Sequence, residues 1–171
     1  MLRKILNLVN KKLFNFRRNR EMSTTATLSR IVKYTNKGAK YQTIYVHWDG
    51  YLSGIGKKLL HYYTDESKIE ELFKNGSMSS LGIRISPDQR FTHNFDHPQS
   101  CTCVFYFRDR GDDWSECKPW TYTVKQEKTA CRHANGEYNY LFKDGRWYWR
   151  KGYWNSFNLL TDDAISSWDG Y

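Results

Sequence analysis

Residues 137–150 read EYNYLFKDGRWYWR, and this stretch is typical of two strands joined by a two-residue turn. Asp144 and Gly145 supply the residue types that accept the positive φ angles of a tight hairpin turn. The aromatic and apolar residues on either side of the turn favour extended backbone. The stretch therefore predicts a C-terminal β-hairpin.

The second half of this hairpin and the residues after it carry aromatic side chains interleaved with basic ones, which has two interpretations. One is a nucleic-acid surface, because rings stack on bases and cations hold phosphates. Its members would be Trp147, Tyr148, Trp149, Tyr153 and Trp154, with Arg146, Arg150 and Lys151. The other is core packing, since strand alternation would place Trp147 and Trp149 inside and Arg146, Tyr148 and Arg150 outside. We favour core packing.

A second hairpin is predicted near the beginning of the chain. Residues 28–34 alternate, residues 36–38 (Asn-Lys-Gly) have turn chemistry, and residues 41–48 are again β-branched and aromatic. Further strands are predicted at residues 101–107 and 121–124.

Helical patterns fill the intervening segments. Residues 57–63 look helical, and Thr64-Asp65-Glu66 is typical of the start of a second helix, which has an apolar stripe. That stripe consists of Ile69, Leu72 and Phe73. Residues 159–168 predict a last helix with Thr161 as its cap. These elements together predict the α+β class, with a small mixed or antiparallel sheet, N- and C-terminal hairpins and about three helices packed on it.

The net charge of +9 is distributed very unevenly. Residues 1–40 contain 11 Lys and Arg against one acid, Glu21, whereas residues 41–171 contain 16 Lys and Arg against 17 acids. A domain that follows phosphates is expected to carry its positive charge on a folded face. Nucleic-acid binding by the nearly neutral body is therefore not favoured.

We divide the chain into a basic amphipathic extension, residues 1–21, and a single α+β domain, residues 22–171. The extension has apolar residues at helical spacing, namely Leu2, Ile5, Leu6, Val9, Leu13 and Phe16. Such a helix can lie on an anionic membrane, and the basic residues 1–40 can bind nucleic acid or a partner protein. The alternative is that Met22 is the true start and the preceding residues are a tail.

A glycine-rich segment follows the predicted strand 41–48 and precedes the predicted helix. Glycines admit close backbone approach, and helix N-termini bind anions, so this strand end is a candidate site for a small anionic ligand. The candidate ligand-binding residues are His47, Asp49, Gly50, Tyr51, Gly54, Gly56 and Lys57. The spacing matches neither the dinucleotide fingerprint nor the P-loop, so ordinary turn chemistry is the competing interpretation.

A metal site is a weaker alternative, and we predict no cofactor. Its ligands would be His47, Asp49, His93, Asp96 and His97, whose spacing matches no established metalloenzyme motif. Cysteines at 101, 103, 117 and 131, with His133, could also form a zinc site. Because no Cys-x-x-Cys pair is present, buried reduced thiols are the favoured interpretation.

Several short runs resemble a family of small proteins found mainly in bacteriophages and prophages. The runs are YVHWDGY (45–51), Gly54-Ile55-Gly56 with Leu60 and Tyr63, 68–72, GSMSSLG (76–82), HNFD (93–96) and FRDRG (107–111). They contain the family's His-x-Asp-Gly-Tyr, Ser-x-Leu-Gly and Arg-Asp-Arg-Gly motifs. The resemblance covers residues 22–112 and more loosely the C-terminal hairpin, and it favours Met22 as the start. It implies a phage accessory protein acting inside the bacterial cell and implies no particular reaction.

We expect a non-enzymatic accessory protein that binds a host protein or a small anionic, nucleotide-like ligand. The alternatives are a metal-dependent hydrolase using the His/Asp set, and a protein tethered to nucleic acid or membrane by its basic N-terminus. A cytoplasmic location in the bacterial host is expected, because the chain has no secretory signal and no apolar run of transmembrane length.

Overall fold

In the computed structural model, which describes residues 23–127, 136–153 and 155–168, an N-terminal hairpin is formed by β1 (Ala26–Thr35) and β2 (Gly38–Val46). The Thr35 hydroxyl donates to the Gly38 carbonyl oxygen at 2.8 Å and accepts from the Lys37 amide at 3.2 Å. Gly38 has a φ of 125°, which glycine adopts without a Cβ clash. The predicted first hairpin is thus confirmed.

The C-terminal hairpin is also confirmed. It consists of β6 (Tyr138–Lys143) and β7 (Arg146–Lys151), paired antiparallel in register around the turn. Asp144 and Gly145 have φ angles of 51° and 73°, both positive as a type I′ turn requires.

The remaining strands join the two hairpins into one mixed sheet. They are β3 (Met78–Ser80), β4 (Val104–Phe105), β5 (Trp120–Val124) and β8 (Asn158–Leu159). In the described residues the order is β4-β3-β2-β1-β6-β7-β8, with β5 also paired to β2. The β1–β6 and β2–β3 pairs are parallel, and the other pairs are antiparallel. The two hairpins therefore meet through their first strands at the centre of the sheet.

Helices complete an α+β fold, as predicted. A π-helical segment (Leu52–Gly56) runs directly into α1 (Lys57–Tyr62), and α2 (Glu66–Lys74), α3 (Trp114–Cys117) and α4 (Asp162–Trp168) follow. The predicted caps are confirmed: the Asp65 carboxylate accepts from the Lys68 amide at 3.0 Å, and the Thr161 hydroxyl accepts from the Ala164 amide at 3.0 Å.

The helices pack on one face of the sheet and form the main core there. Its buried members include Leu28, Ile44 and Tyr140 from the strands and Leu59, Ile69, Leu72, Phe73 and Ile165 from the helices. The predicted stripe of α2 is therefore buried against the sheet.

The opposite face of the sheet carries a second, smaller cluster around Tyr41 and Leu141. Its polar side chains are buried in pairs: the Thr27 hydroxyl donates to the Asn139 amide oxygen at 2.7 Å, and the Ser29 and Thr43 hydroxyls lie 2.6 Å apart. The centre of this face is therefore buried and not exposed to solvent.

Arg150 lies on this buried face, so the prediction that it points to solvent is wrong. It alternates with Trp149 as expected, yet its side chain has 0% exposure and its guanidinium carbon lies 4.3 Å from the centre of the Phe157 ring. Trp147 and Trp149 are buried on the helical face, as predicted.

Two predicted boundaries were also wrong. Of residues 101–107 only Val104–Phe105 form a strand, and Tyr106–Arg110 turn into a second π-helical segment that ends at Gly111, with φ 83°. The predicted helix start at residue 57 is confirmed, but an unpredicted π-helical segment, Leu52–Gly56, precedes it directly. Leu159 belongs to β8 and not to the last helix.

Candidate functional site

The candidate ligand-binding segment at the end of β2, residues 47–57, is called the rim here. It holds His47 and Asp49 close in the chain but gives them separate partners. The His47 Nδ1 atom lies 2.9 Å from the Tyr45 hydroxyl. The imidazole packs edge-on against Trp48, with 4.7 Å between the ring centres. Asp49 has a φ of 60°, so strand alternation ends there, and its carboxylate accepts from the Tyr51 hydroxyl at 3.2 Å. Each side chain is therefore held by a tyrosine two residues away in the chain.

The three rim glycines are accounted for by packing against the protein. A Cβ on Gly50 would lie 2.5 Å from the Thr25 carbonyl oxygen, and one on Gly54 would lie 2.3 Å from the Asp49 carbonyl oxygen. A Cβ on Gly56 would approach the Tyr140 hydroxyl at 3.2 Å. All three glycines are buried, so their backbones approach other chain segments closely and present no open cradle for a phosphate.

Lys57 is the first residue of α1, but contrary to the expectation from sequence the start of this helix has no free backbone amides there. The π-helical segment precedes it, and the Lys57 amide is bonded to the carbonyl oxygens of Leu52 and Gly54. Its side chain is exposed, as is that of Tyr51. Ligand binding by this rim stays a prediction, without the free amide groups of a helix N-terminus that were part of its basis.

The five residues of the alternative metal site do not come together in the structure. Among the described residues no group of three or more His, Cys, Asp or Glu side chains could hold a metal ion. His47 contacts Tyr45, as described above, whereas His93 contacts Asp109, and Asp96 and His97 are exposed. A hydrolase built on this set is therefore not supported.

His93 belongs to a buried polar network around Asp109. Its Nδ1 atom accepts from the Gln99 amide at 3.0 Å, and its Nε2 atom lies 3.1 Å from Arg108 Nη2 and 3.3 Å from the Asp109 Oδ2 atom. Both ring nitrogens thus contact other groups of the network.

The Arg-Asp-Arg-Gly motif supplies the centre of this network. Arg108 binds Asp109 through Nε (2.6 Å) and Nη2 (2.8 Å), and it also donates to the carbonyl oxygens of Ile85 and Cys103 at 2.7 Å. Asp109 in addition accepts from the Phe105 amide at 2.7 Å. The motif therefore joins the long loop before β4 to the second π-helical segment.

The second arginine of the motif is more exposed. Arg110 forms a two-pronged ion pair with Asp112, and its guanidinium carbon lies 4.1 Å from the centre of the Tyr106 ring. Burial raises the pKa of Tyr106 to about 12, with a further contribution from Tyr45. These contacts give the whole motif a structural explanation.

The cysteines agree only partly with the prediction of buried thiols. Cys103 and Cys117 are buried and Cys101 is exposed, and all three are free. The Cys103 sulfur lies 3.3 Å from the Tyr63 hydroxyl, and burial raises the pKa of this thiol. Cys131 and His133 lie outside the described residues.

A groove beside β7 was not predicted as a site, although part of it belongs to the aromatic set identified from sequence. It has a volume of about 490 Å³ and lies between β7, the 155–158 segment and the end of α4. Its lining consists of Trp149, Lys151, Asn155, Ser156, Asn158 and Trp168. Trp154 and the basic extension lie outside the described residues. Trp168 and the asparagines gave no local sequence signal, because they join Trp149 only through the fold.

The groove combines stacking surfaces with hydrogen-bonding groups. The Trp149 and Trp168 rings pack edge to face, with 4.9 Å between the ring centres. The Trp168 indole nitrogen donates to the Tyr138 hydroxyl at 3.2 Å. The Lys151 ammonium nitrogen lies 5.5 Å from the centre of the Tyr138 ring. The Asn155 amide nitrogen donates to the Lys151 carbonyl oxygen at 2.8 Å. The groove thus offers an exposed indole, an ammonium and amide groups within one concavity.

Comparison of the chain with protein-family models, with curated proteins and with solved structures gave no match. Within the described ranges, no helix has the length and apolar character needed to cross a bilayer.

Proposed function

We propose that this protein is a non-enzymatic binding protein that holds a small anionic, nucleotide-like ligand in the groove between β7 and α4. The resemblance to phage proteins supports an accessory role in the cytoplasm of a bacterial host. The observation that carries the proposal is the lining of the groove, in which Trp149 and Trp168 stand beside Lys151.

The chemistry of the groove matches a base and a phosphate. Trp168 is 44% exposed at the end of α4, so its ring can stack on a planar base, and a stacked base contributes about 1–3 kcal/mol. The Lys151 ammonium makes no salt bridge within the described residues and can bind a phosphate. A volume of about 490 Å³ is within the usual range of small-ligand sites.

The groove suits such a ligand better than the His47–Lys57 rim. The rim glycines face other parts of the chain, and Lys57 follows a helical turn instead of opening one. The residues that line the groove, in contrast, surround a volume of about 490 Å³ that a ligand can occupy.

Isothermal titration calorimetry with AMP, GMP, adenosine and inorganic phosphate tests the proposal. We expect at least one monophosphate to bind more tightly than both adenosine and phosphate alone. Trp168→Ala should weaken that binding by roughly 5-fold to 150-fold, the equivalent of one lost stack. Trp120→Ala is the matched control, because Trp120 is also 44% exposed but lies on β5.

Lysine variants separate the groove from the rim. Lys151→Gln should weaken monophosphate binding, and Lys57→Gln should leave it unchanged. The reverse pattern, or equal loss in Trp120→Ala and Trp168→Ala, would refute the groove as the site. Loss of binding in His47→Gln and Asp49→Asn with the groove variants intact would instead favour the rim.

A further inference from the structure

A second cavity lies at the other end of β7 and shares no residue with the groove. It has a volume of about 210 Å³ and lies between α1, the β6–β7 turn and the β8–α4 junction. Its lining consists of Leu60, Thr64, Gly145, Arg146, Trp147, Leu159 and Leu160. Three leucines and an indole make its walls largely apolar.

Two polar groups in this lining have no partner among the described residues. Arg146 makes no ion pair or hydrogen bond with them, and neither does the Thr64 hydroxyl. By comparison, the Trp147 indole nitrogen donates to the Tyr63 carbonyl oxygen at 2.7 Å and is satisfied within the fold. The cavity therefore joins apolar walls to an available guanidinium and an available hydroxyl.

The apolar wall is also incompletely covered. Leu159 is 40% exposed although it lies beside the buried residues Trp147 and Leu160. Covering this leucine would be favourable, because apolar surface would be removed from water. An apolar group seated in the cavity would provide that cover.

We propose that this cavity binds a small apolar carboxylate, with the ring or branched alkyl group against the leucines and the carboxylate on Arg146. Guanidinium groups bind carboxylates through two parallel hydrogen bonds, and the Thr64 hydroxyl can donate to the same anion. An apolar cavity of about 150 Å³ is large enough for benzene, so about 210 Å³ suits a single ring with a short acid side chain.

The probe is phenylacetate, with phenylacetamide as its uncharged counterpart. Each compound is titrated into the ¹⁵N-labelled full chain. Phenylacetate should shift the amide signals of Gly145 and Leu160. Phenylacetamide should bind at least about tenfold more weakly, since a hydrogen bond to a charged group is worth about 1.5–3 kcal/mol. Equal affinity for acid and amide would overturn the proposal.

Substitutions locate the anion contact. Arg146→Gln should weaken phenylacetate binding by at least about tenfold and bring acid and amide to similar affinity, and Arg146→Lys should retain part of the preference for the acid. Lys37→Gln, in the exposed turn of the other hairpin, is the control for general loss of positive charge. Because Arg146 is exposed, its variants should keep the parent amide spectrum outside the cavity. Unchanged affinity in Arg146→Gln, or equal loss in Lys37→Gln, would refute the assignment.

Discussion

Replacing Asp109 with asparagine should destabilise the fold far more than the same change at Asp112. The Asp109 side chain is 3% exposed and takes two hydrogen bonds from Arg108 and one from the Phe105 amide. Asparagine keeps one acceptor oxygen but turns an NH₂ group toward the donors of Arg108, which leaves that guanidinium without its countercharge. Breaking a buried pair in this way costs about 3–5 kcal/mol, and because the Arg108 side chain is 26% exposed we expect about 3 kcal/mol.

Asp112 provides a matched control within the same motif region. It is bound to Arg110 in the same two-pronged manner, but the Arg110 side chain is 44% exposed, and exposed pairs contribute about 0–1 kcal/mol. Urea unfolding followed by circular dichroism should therefore show a large loss for Asp109→Asn and a loss below about 1 kcal/mol for Asp112→Asn. Equal losses in the two variants would show that the buried network does not stabilise the loop as argued.

Two further predictions concern titratable groups. Iodoacetamide at pH 8 should modify Cys101 in the folded protein and Cys103 only after denaturation, because Cys103 is buried and burial raises its pKa; peptide mapping that finds both modified at similar rates would contradict this. Stability should fall as the pH rises above about 10, where tyrosines of the unfolded chain ionise. Tyr63 and Tyr106 remain protonated in the fold because burial raises the pKa of each, that of Tyr106 to about 12, so the unfolded state binds fewer protons. Melting temperatures from pH 8 to 11 should show this decline, and Tyr63→Phe should reduce it; a flat profile would contradict the argument.

The hairpins and caps could be predicted from sequence because their causes are local. Asp144-Gly145 can adopt the two positive φ angles that join β6 to β7, and the Asp65 carboxylate reaches an amide only three residues away. Such signals depend on neighbouring residues and survive in any tertiary context.

What alternation could not reveal is the environment of each face. It correctly placed Trp149 and Arg150 on opposite sides of β7, but it could not show that the side of Arg150 holds a second cluster around Tyr41 and Leu141. Residues 106–107 likewise have strand composition, yet the backbone turns there as the Asp109 carboxylate binds the Phe105 amide. The burial of Arg150 comes from tertiary contacts, whereas the turn at residues 106–107 comes from a hydrogen bond between residues four apart that strand propensity does not reveal.

The candidate site was harder to predict than the fold. The rim residues stood out because His47, Asp49 and the glycines are adjacent in sequence, whereas Trp149 and Trp168 meet through the packing of α4 on the sheet. Nineteen positions separate the two indoles, and no motif spans them. A groove assembled from distant segments leaves little trace in a single sequence.

The parallel pairing of β1 with β6 has a consequence for synthesis of the chain. Ala26 pairs with Tyr138, so the ribosome must release more than 110 further residues before β1 gains its second neighbour. Until then, one edge of β1 presents unpaired backbone groups that can join another nascent chain. Folding should therefore be completed late and slowly, as in other proteins dominated by contacts between distant segments, and chains truncated before β6 should aggregate.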